Sequence, residues 1–477
     1  MKKLLTIFLL TVTTNLFSQQ MTPFFESQIP KDDYAMDLVE INNHYYHSIV
    51  VKFDTNNVGG ILYKLKQNGD IVDSLVFQKS SGDYHLDYLY TENSLIYAFG
   101  SYESDSMPVY QDLIFLKIDT NLNILKEYHY ITNLHKFGVL NGLINFRNNF
   151  VIYSYGFTPG NSMNSFIFEI DHSGGLLHTY YQQTSNDDFI FSCTNIGTNL
   201  LVFLHSSTYM QQTGNSDNFL TLDSTYNFIR ADSIPFLDNM ETANSIGNKI
   251  YLSGKNINSG NYEIIKMDTT LQIFHHLSFG AIDTLDFPAT MQSHVISSNN
   301  SIFLLGTINV DIINYYYSTH PSWIEISKLD TALNIIWTKR IGGDAHYNAR
   351  NLTPLEDGGV IVSAIRYDFD TLQQVDNVLF KLDNNGVITV IKGSLPSEIN
   401  TVAYPNPTTD FVYFSFAENQ QSIKTVSIYN MQGQIVKTES VNKQNSKISL
   451  KSLPAGLYFY RITENNKLLQ TGKIVKQ

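Results

Sequence analysis

The feature that most constrains this chain is a recurring unit: an apolar strand, an Asp-containing turn and a second apolar strand. It reads Leu62-Tyr63-Lys64-Leu65-Lys66-Gln67-Asn68-Gly69-Asp70-Ile71 and returns as Phe115-Leu116-Lys117-Ile118-Asp119-Thr120-Asn121-Leu122-Asn123-Ile124. Further copies centre on Ile170-Asp171, Leu222-Asp223, Met267-Asp268, Leu329-Asp330 and Leu382-Asp383. The residues before the turns, 65, 118, 170, 222, 267, 329 and 382, are spaced by 53, 52, 52, 45, 62 and 53. A period near 50 residues, each holding four short strands, marks a propeller.

Each period contains a second hairpin. Examples run from Leu38 to Tyr46, from Leu89 to Tyr97 and from Ile246 to Tyr251, and the others turn at Asn148-Asn149, Gly197-Thr198-Asn199, Asn299-Asn300 and Asp357-Gly358-Gly359. Asn and Gly suit these turns because hairpin geometry that matches strand twist needs positive φ. The expected fold is all-β: a seven-bladed β-propeller over residues 19–397 (core 34–392), then a small Ig-like β-sandwich over 398–477. Ring closure has two open solutions. Seven consecutive four-stranded blades form, or the hairpin Tyr34 to Phe53 joins the segment Val378 to Lys392 in a shared blade.

The two ends read as addresses. Met1-Lys2-Lys3 followed by the apolar run Leu4 to Val12 has the form of a signal peptide over residues 1–18, and the run is too short to span a bilayer. No membrane span is expected after its cleavage. Cys193, the single cysteine, permits no intramolecular disulfide and sits in an apolar strand pattern, so it reads as a buried small hydrophobe. Net charge is −13. Without Lys2 and Lys3 it is −15; residues 398–477 carry nine Lys or Arg and five Asp or Glu, leaving −19 on residues 19–397. A body that acidic repels phosphate backbones, which argues against a nucleic-acid partner.

Near the C-terminus, Tyr404-Pro405-Asn406-Pro407, Leu453-Pro454-Ala455-Gly456-Leu457-Tyr458 and Gly472-Lys473-Ile474-Val475-Lys476-Gln477 occur in order. This resembles the type A C-terminal sorting domain of the type IX secretion system of Bacteroidota. The resemblance implies a sorting motif at Tyr404, Pro405, Asn406, Pro407, Pro454, Gly456, Tyr458, Gly472, Lys473 and Lys476. It also implies the type IX machinery as a partner and a destination at the outer-membrane surface or in the medium, reached through the periplasm. The sixth repeat, with Lys328-Leu329-Asp330, Asn334-Ile335-Ile336-Trp337, Gly342-Gly343 and Asp357-Gly358-Gly359-Val360-Ile361-Val362, resembles repeats of secreted Bacteroidota propeller proteins. That resemblance transfers no activity.

No catalytic motif is legible: HExxH, GxSxG, P-loop and post-strand GxGxxG patterns are all missing from the sequence. No catalytic residue and no cofactor is assigned, and the metal question stays open. Each Asp of the recurring turn reads as the cap of its own turn, accepting a backbone N–H two residues on. His275 and His276 point to opposite faces of a strand and cannot share a metal. Asp followed by Ser or Thr at Asp223-Ser224-Thr225 and Asp330-Thr331-Ala332 looks like the O-glycosylation sequon of secreted Bacteroidota proteins; ordinary turn composition is the other reading.

Two function classes stay open. One is non-catalytic binding or adhesion to an extracellular glycan or protein; the other is a polysaccharide- or peptide-degrading hydrolase or lyase with its site at the channel mouth. Loop lengths locate an expected binding face. The tight turns all fall on one face of a four-stranded meander. The other face collects the long connections Ser101 to Asp112, Phe157 to Ser165, Ser206 to Asn218, Asn309 to Pro321 and Tyr367 to Asn377. Its aromatic candidates are Tyr102, Tyr110, Tyr209, Tyr315, Tyr316, Tyr317, Trp323 and Tyr367.

Overall fold

The structure is a computed structural model. It describes residues 23–27, 29, 31–54, 57–77, 82–104, 111–132, 140–157, 163–182, 187–206, 217–234, 236–370, 373–389, 402–404, 408–415, 424–430, 435–441, 445–464 and 467–477. The expected signal peptide and the motif residues Pro405, Asn406 and Pro407 lie outside these. Contacts divide the chain into two units, Met1–Val390 and Ile391–Gln477.

Among the described residues of the first unit, seven antiparallel sheets follow one another in chain order. They span residues 33–77, 82–131, 142–182, 188–233, 237–279, 287–342 and 346–382, and are called sheets one to seven below. Within each, the strands pair as a simple meander, and sheet six has its first strand divided into Phe287–Pro288 and His294–Ile296. Second and third strands are buried nearly throughout, as in Ile302–Ile308 and Val375–Leu382, because both faces of each sheet are covered by neighbouring sheets. The fourth strands, such as Ile124–Ile131, are mostly exposed.

Closure takes neither expected form. The hairpin at Tyr34 stays within sheet one. Sheet seven instead gains its outermost strand from Phe25–Glu26, paired antiparallel to Val378 and Leu379. The segment after Leu382 supplies only an isolated bridge, Leu382 to Ile388. Phe24 and Phe25 anchor the borrowed strand, buried against Tyr45, Tyr63 and Leu379. The inner strand of sheet one, Asp33–Ile41, packs on all three of sheet seven's own strands, so the ring is closed.

The turns follow from local chemistry. Asn42-Asn43 and Asn93-Ser94 have both central φ values positive, as the tight hairpin requires. The third such turn is Arg147-Asn148, one residue earlier than the expected Asn148-Asn149. Arg147 accepts the strained position because its guanidinium pairs with the buried Glu169 at 2.8 Å and donates to Ser224 O at 2.7 Å.

Among its described residues the second unit holds two sheets. One contains Val402–Tyr404, Phe411–Ser415 and Asn445–Ser449; the other contains Ile435–Val441, Lys424–Tyr429, Gly456–Glu464 and Lys467–Lys476. Period-2 alternation puts Val426, Ile428, Val412, Phe414, Ile448, Ile462 and Ile474 into one core.

Candidate functional site

The recurring Asp turns are the clearest repeated device. Asp119 Oδ1 accepts the N–H groups of Asn121 and Asn123 at 2.9 Å. Asp171, Asp223, Asp268, Asp330 and Asp383 do the same two and four residues on. Each turn then needs a left-handed residue, filled by Gly174 and Gly386 but also by Leu122, Tyr226, Leu271 and Leu333. Three of those four, Leu122, Tyr226 and Leu333, bury their side chains, and Leu271 packs partly buried against the core of sheets four and five, which offsets the unfavourable φ. The donors hold the carboxyls of Asp119, Asp171, Asp223, Asp268 and Asp330 below their ordinary range, Asp223 at about 2, its largest cause being the Asn227 N–H. Every carboxylate here is engaged by its own turn. Among the described residues no cluster of three His, Cys, Asp or Glu side chains could hold a metal.

A second repeated device surrounds the central channel, and sequence reasoning missed it. Most inner strands break register near one position: Ala35/Leu38, Leu86/Tyr88, Ile190/Ser192, Asp238/Thr242 and Ala349/Asn351. The irregularity turns a polar residue toward the next sheet. Asp37 Oδ2 accepts Leu89 N–H of sheet two at 2.8 Å, and Asp87 Oδ2 accepts Leu140 N–H at 2.9 Å. Asn141 donates to Ile190 O of sheet four at 2.9 Å, and Ser192 donates to Met240 O of sheet five at 2.7 Å. Thr242 Oγ1 accepts Ser293 N–H of sheet six, whose Met291 N–H donates to Arg350 O of sheet seven. Asn351 returns the ring to Asp37 Oδ1 at 2.6 Å. The signal was present in sequence as a polar residue interrupting each first-strand apolar run, as in Met36-Asp37-Leu38 and Phe191-Ser192-Cys193.

These joints place charge along the channel wall. Burial pushes Asp37 up to about 6, against the pull of its three donors, and Asp87 up to about 7. Glu241 is raised furthest, to about 8, by burial first and by Asp238 second. Arg350 is 7% exposed and donates to Ala35 O, Thr290 Oγ1 and Met36 Sδ. Among the described residues it forms no ion pair. The carboxylates and the Arg converge, yet Asp37, Asp87 and Arg350 are tied to sheet-to-sheet hydrogen bonds.

The long connections do fall between second and third strands, at 104–111, 157–163, 206–217, 308–323 and 367–375. Tyr315, Tyr316, Tyr317 and Tyr367 come together with Tyr34 on that face. Tyr316 meets Tyr34 edge-on with centroids 5.2 Å apart, and Tyr317 meets Tyr367 at 5.5 Å. The Tyr317 hydroxyl donates to Asp32 Oδ2 at 3.0 Å and lies 3.2 Å from the Tyr34 hydroxyl. Tyr315 differs. Its backbone carbonyl accepts from Asn348 at 2.5 Å and contacts His346 Nε2 at 3.0 Å. Its phenol is sunk beside Thr290 and Arg350, so burial raises its pKa. The other candidates do not join this patch: Tyr102 meets His129 on an outer strand, Trp323 packs with the sheet five–six core, and Tyr110 and Tyr209 lie outside the described residues. Cys193 is buried with its thiol pushed up, as an inert core residue would be. His275 and His276 occupy adjacent positions on one strand and face oppositely, as expected.

In the second unit the Tyr458 hydroxyl donates to Pro454 O at 2.8 Å, closing the Pro454–Gly456 turn. Gly472 and Lys473 pair with Tyr460 and Phe459.

Comparison with known proteins gives the second unit its identity. Residues 402–477 match the secretion system C-terminal sorting domain, and so carry the mark for type IX export to the cell surface or extracellular space. A stretch of 77 residues is 39% identical to β-agarase A of Zobellia galactanivorans. It spans 16% of this chain and 14% of that protein. Among solved structures, the β-propeller domain of the Trilobed protease from Pyrococcus furiosus is similar at 10% identity and a TM-score of 0.42, covering 74% of this chain and 95% of that one. A putative 6-phosphogluconolactonase from Bacteroides fragilis is similar at 12% identity and 0.43, covering 77% and 95%. Neither likeness bears on activity. Among the described residues no helix is long and apolar enough to cross a membrane.

Proposed function

We propose that this exported chain is a non-catalytic binding propeller that engages an extracellular glycan through the tyrosine patch of its long-loop face. In this reading residues 1–18 are the export signal, 19–397 the binding body and 398–477 the sorting unit. The observation that carries it is the meeting of Tyr34, Tyr316, Tyr317 and Tyr367 from three sheets at one exposed place, with Tyr317 45% exposed. Rigid phenol faces stack on sugar rings, and their hydroxyls add directional hydrogen bonds at small entropic cost. A glycan-array screen of residues 19–397 tests it. Tyr317→Ala and Tyr367→Ala together should remove array signal while leaving the urea midpoint unchanged. Retained signal would sink the patch.

The second reading, a hydrolase or lyase, draws on the convergence of Asp37, Asp87, Glu241 and Arg350 around the channel. It is weaker because an acid–base pair needs two carboxyls free to exchange protons with substrate. Asp37 has three donors, and Asp87 is fully buried. Turnover of any array-positive glycan that is lost in Glu241→Gln would restore this reading.

A further inference from the structure

The tight-turn end of the channel, opposite the tyrosine patch, holds a funnel. Its open part is about 480 Å³ and is walled by the ends of inner strands, including Leu38, Leu89, Val295, Leu352 and Gln292. A narrower cavity of about 160 Å³ adjoins it, sharing Asp37, Leu89, Asn244 and Gln292, and reaches Glu241 and Tyr153. Two polar side chains here have no hydrogen-bond partner among the described residues, the Glu241 carboxyl and the Gln292 amide. Neither belongs to the ring of joints.

We propose that this funnel binds a small primary ammonium ion, with Glu241 as its counter-charge, the Gln292 carbonyl as a second acceptor and the leucine walls around its alkyl part. The site is independent of the tyrosine patch. The Glu241 carboxyl meets no protein donor among the described residues and lines the cavity, so its charge is free to face a ligand N–H there. Arg350 lends Glu241 its charge, but its three hydrogen bonds go to Ala35 O, Thr290 Oγ1 and Met36 Sδ rather than to the carboxyl. Asp37, lining the same space, is satisfied by Leu38, Leu89 and Asn351, and its charge adds to the attraction. The charge of −19 on residues 19–397 draws cations toward the mouth. An anionic ligand would meet two carboxyls, and a neutral alcohol would leave Glu241 to keep its proton.

The pH dependence has a defined sign. The groups whose charge reaches Glu241 are Asp238, Arg350, Tyr153, Tyr155 and Tyr315, with Asp37 in the shared wall. The three tyrosines have raised pKa values and stay neutral, so Glu241 is the group in the funnel whose charge changes most between pH 6.5 and 9. Ammonium affinity therefore rises across that range.

The test is calorimetric titration of the full chain with n-butylammonium chloride and, separately, n-butanol at pH 8.5. Butylammonium should bind about tenfold more tightly than butanol, a difference of about 1.4 kcal/mol. Its affinity should fall as pH is lowered to 6.5. Glu241→Gln should remove most of the difference between the two probes, leaving the part due to Asp37, and Gln292→Leu, which keeps the carboxyl, should weaken butylammonium about threefold while sparing butanol. Tyr317→Ala, on the other face, should change nothing. Equal affinities in the unaltered chain, no saturable butylammonium binding, a pH-independent affinity, or full binding in Glu241→Gln would each overturn the proposal.

Discussion

Asp223 and Asp87 are the same side chain put to the same local use, accepting backbone N–H groups to fix a connection, yet their pKa values move in opposite directions. Asp223 sits at the rim of sheet four in a solvated turn and is held at about 2 by its donors. Asp87 sits beside the channel with one N–H donor, no partner for Oδ1, and a pKa pushed to about 7. Hydrogen bonds stabilise the charged form in both places. Only at the channel does the loss of water outweigh them. The comparison separates a turn that closes locally from a joint that holds two sheets together.

The largest expected break of that contrast is Asp37→Ala. It strands Leu38 N–H, Leu89 N–H and the Asn351 amide in the buried interface between sheets one, two and seven. Urea unfolding should show a loss of about 3–5 kcal/mol. A loss near that of Asp223→Ala would mean that the channel joints are no more consequential than the rim turns. Tyr315→Ser comes next. Removing a phenol packed between Thr290 and Arg350 leaves a void and should cost about 2–3 kcal/mol, whereas Tyr317→Ser should stay within about 0.5 kcal/mol. Equal effects would erase the distinction drawn between those neighbours.

The pH profile sharpens the comparison. An acid whose folded pKa is raised makes stability fall as pH climbs from its unfolded value to its folded one. Asp33 at about 7, Asp87 at about 7 and Glu241 at about 8 act this way. The buried histidines His47, His85 and His294 have lowered pKa values and oppose this trend only below their ordinary 6.5. From pH 6.5 to 8.5 the melting temperature should therefore fall by several degrees, and Glu241→Gln should flatten part of that slope. A flat profile in the unaltered chain would show those carboxyls to be better solvated than the channel allows. The smallest effect is expected for Asp223→Ala. Its loss should be clearly below that of Asp37→Ala and unchanged between pH 5 and 8.5, because a group titrating near 2 is already fully ionised there.

How much was legible depended on whether a signal was local in the chain. The C-terminal sorting motif was legible through its resemblance to a known family, whereas the Asp turns, the Asn-rich tight turns, the period near 52 residues and the placement of long loops between second and third strands all follow from spacing and residue type. Such features depend on φ preferences and side chains reaching two to four residues away. The exceptions are instructive: Arg147 takes a turn position expected of Asn because a buried carboxylate some 20 residues on holds its guanidinium.

Sequence by itself therefore determined that the chain folds as repeated four-stranded meanders and where it is sent. Tertiary structure alone decided three things. Phe25–Glu26 completes the seventh sheet, since pairing across 350 residues leaves no local trace. Of three consecutive tyrosines, one phenol is sunk in the channel while its neighbours form a surface patch. Asp37, Asp87 and Glu241 acquire neutral-range pKa values, whereas Asp119, Asp171, Asp223, Asp268 and Asp330 in their own turns are lowered. The physical reason is common to all three: burial is a property of the closed ring, and desolvation sets both packing and ionisation there.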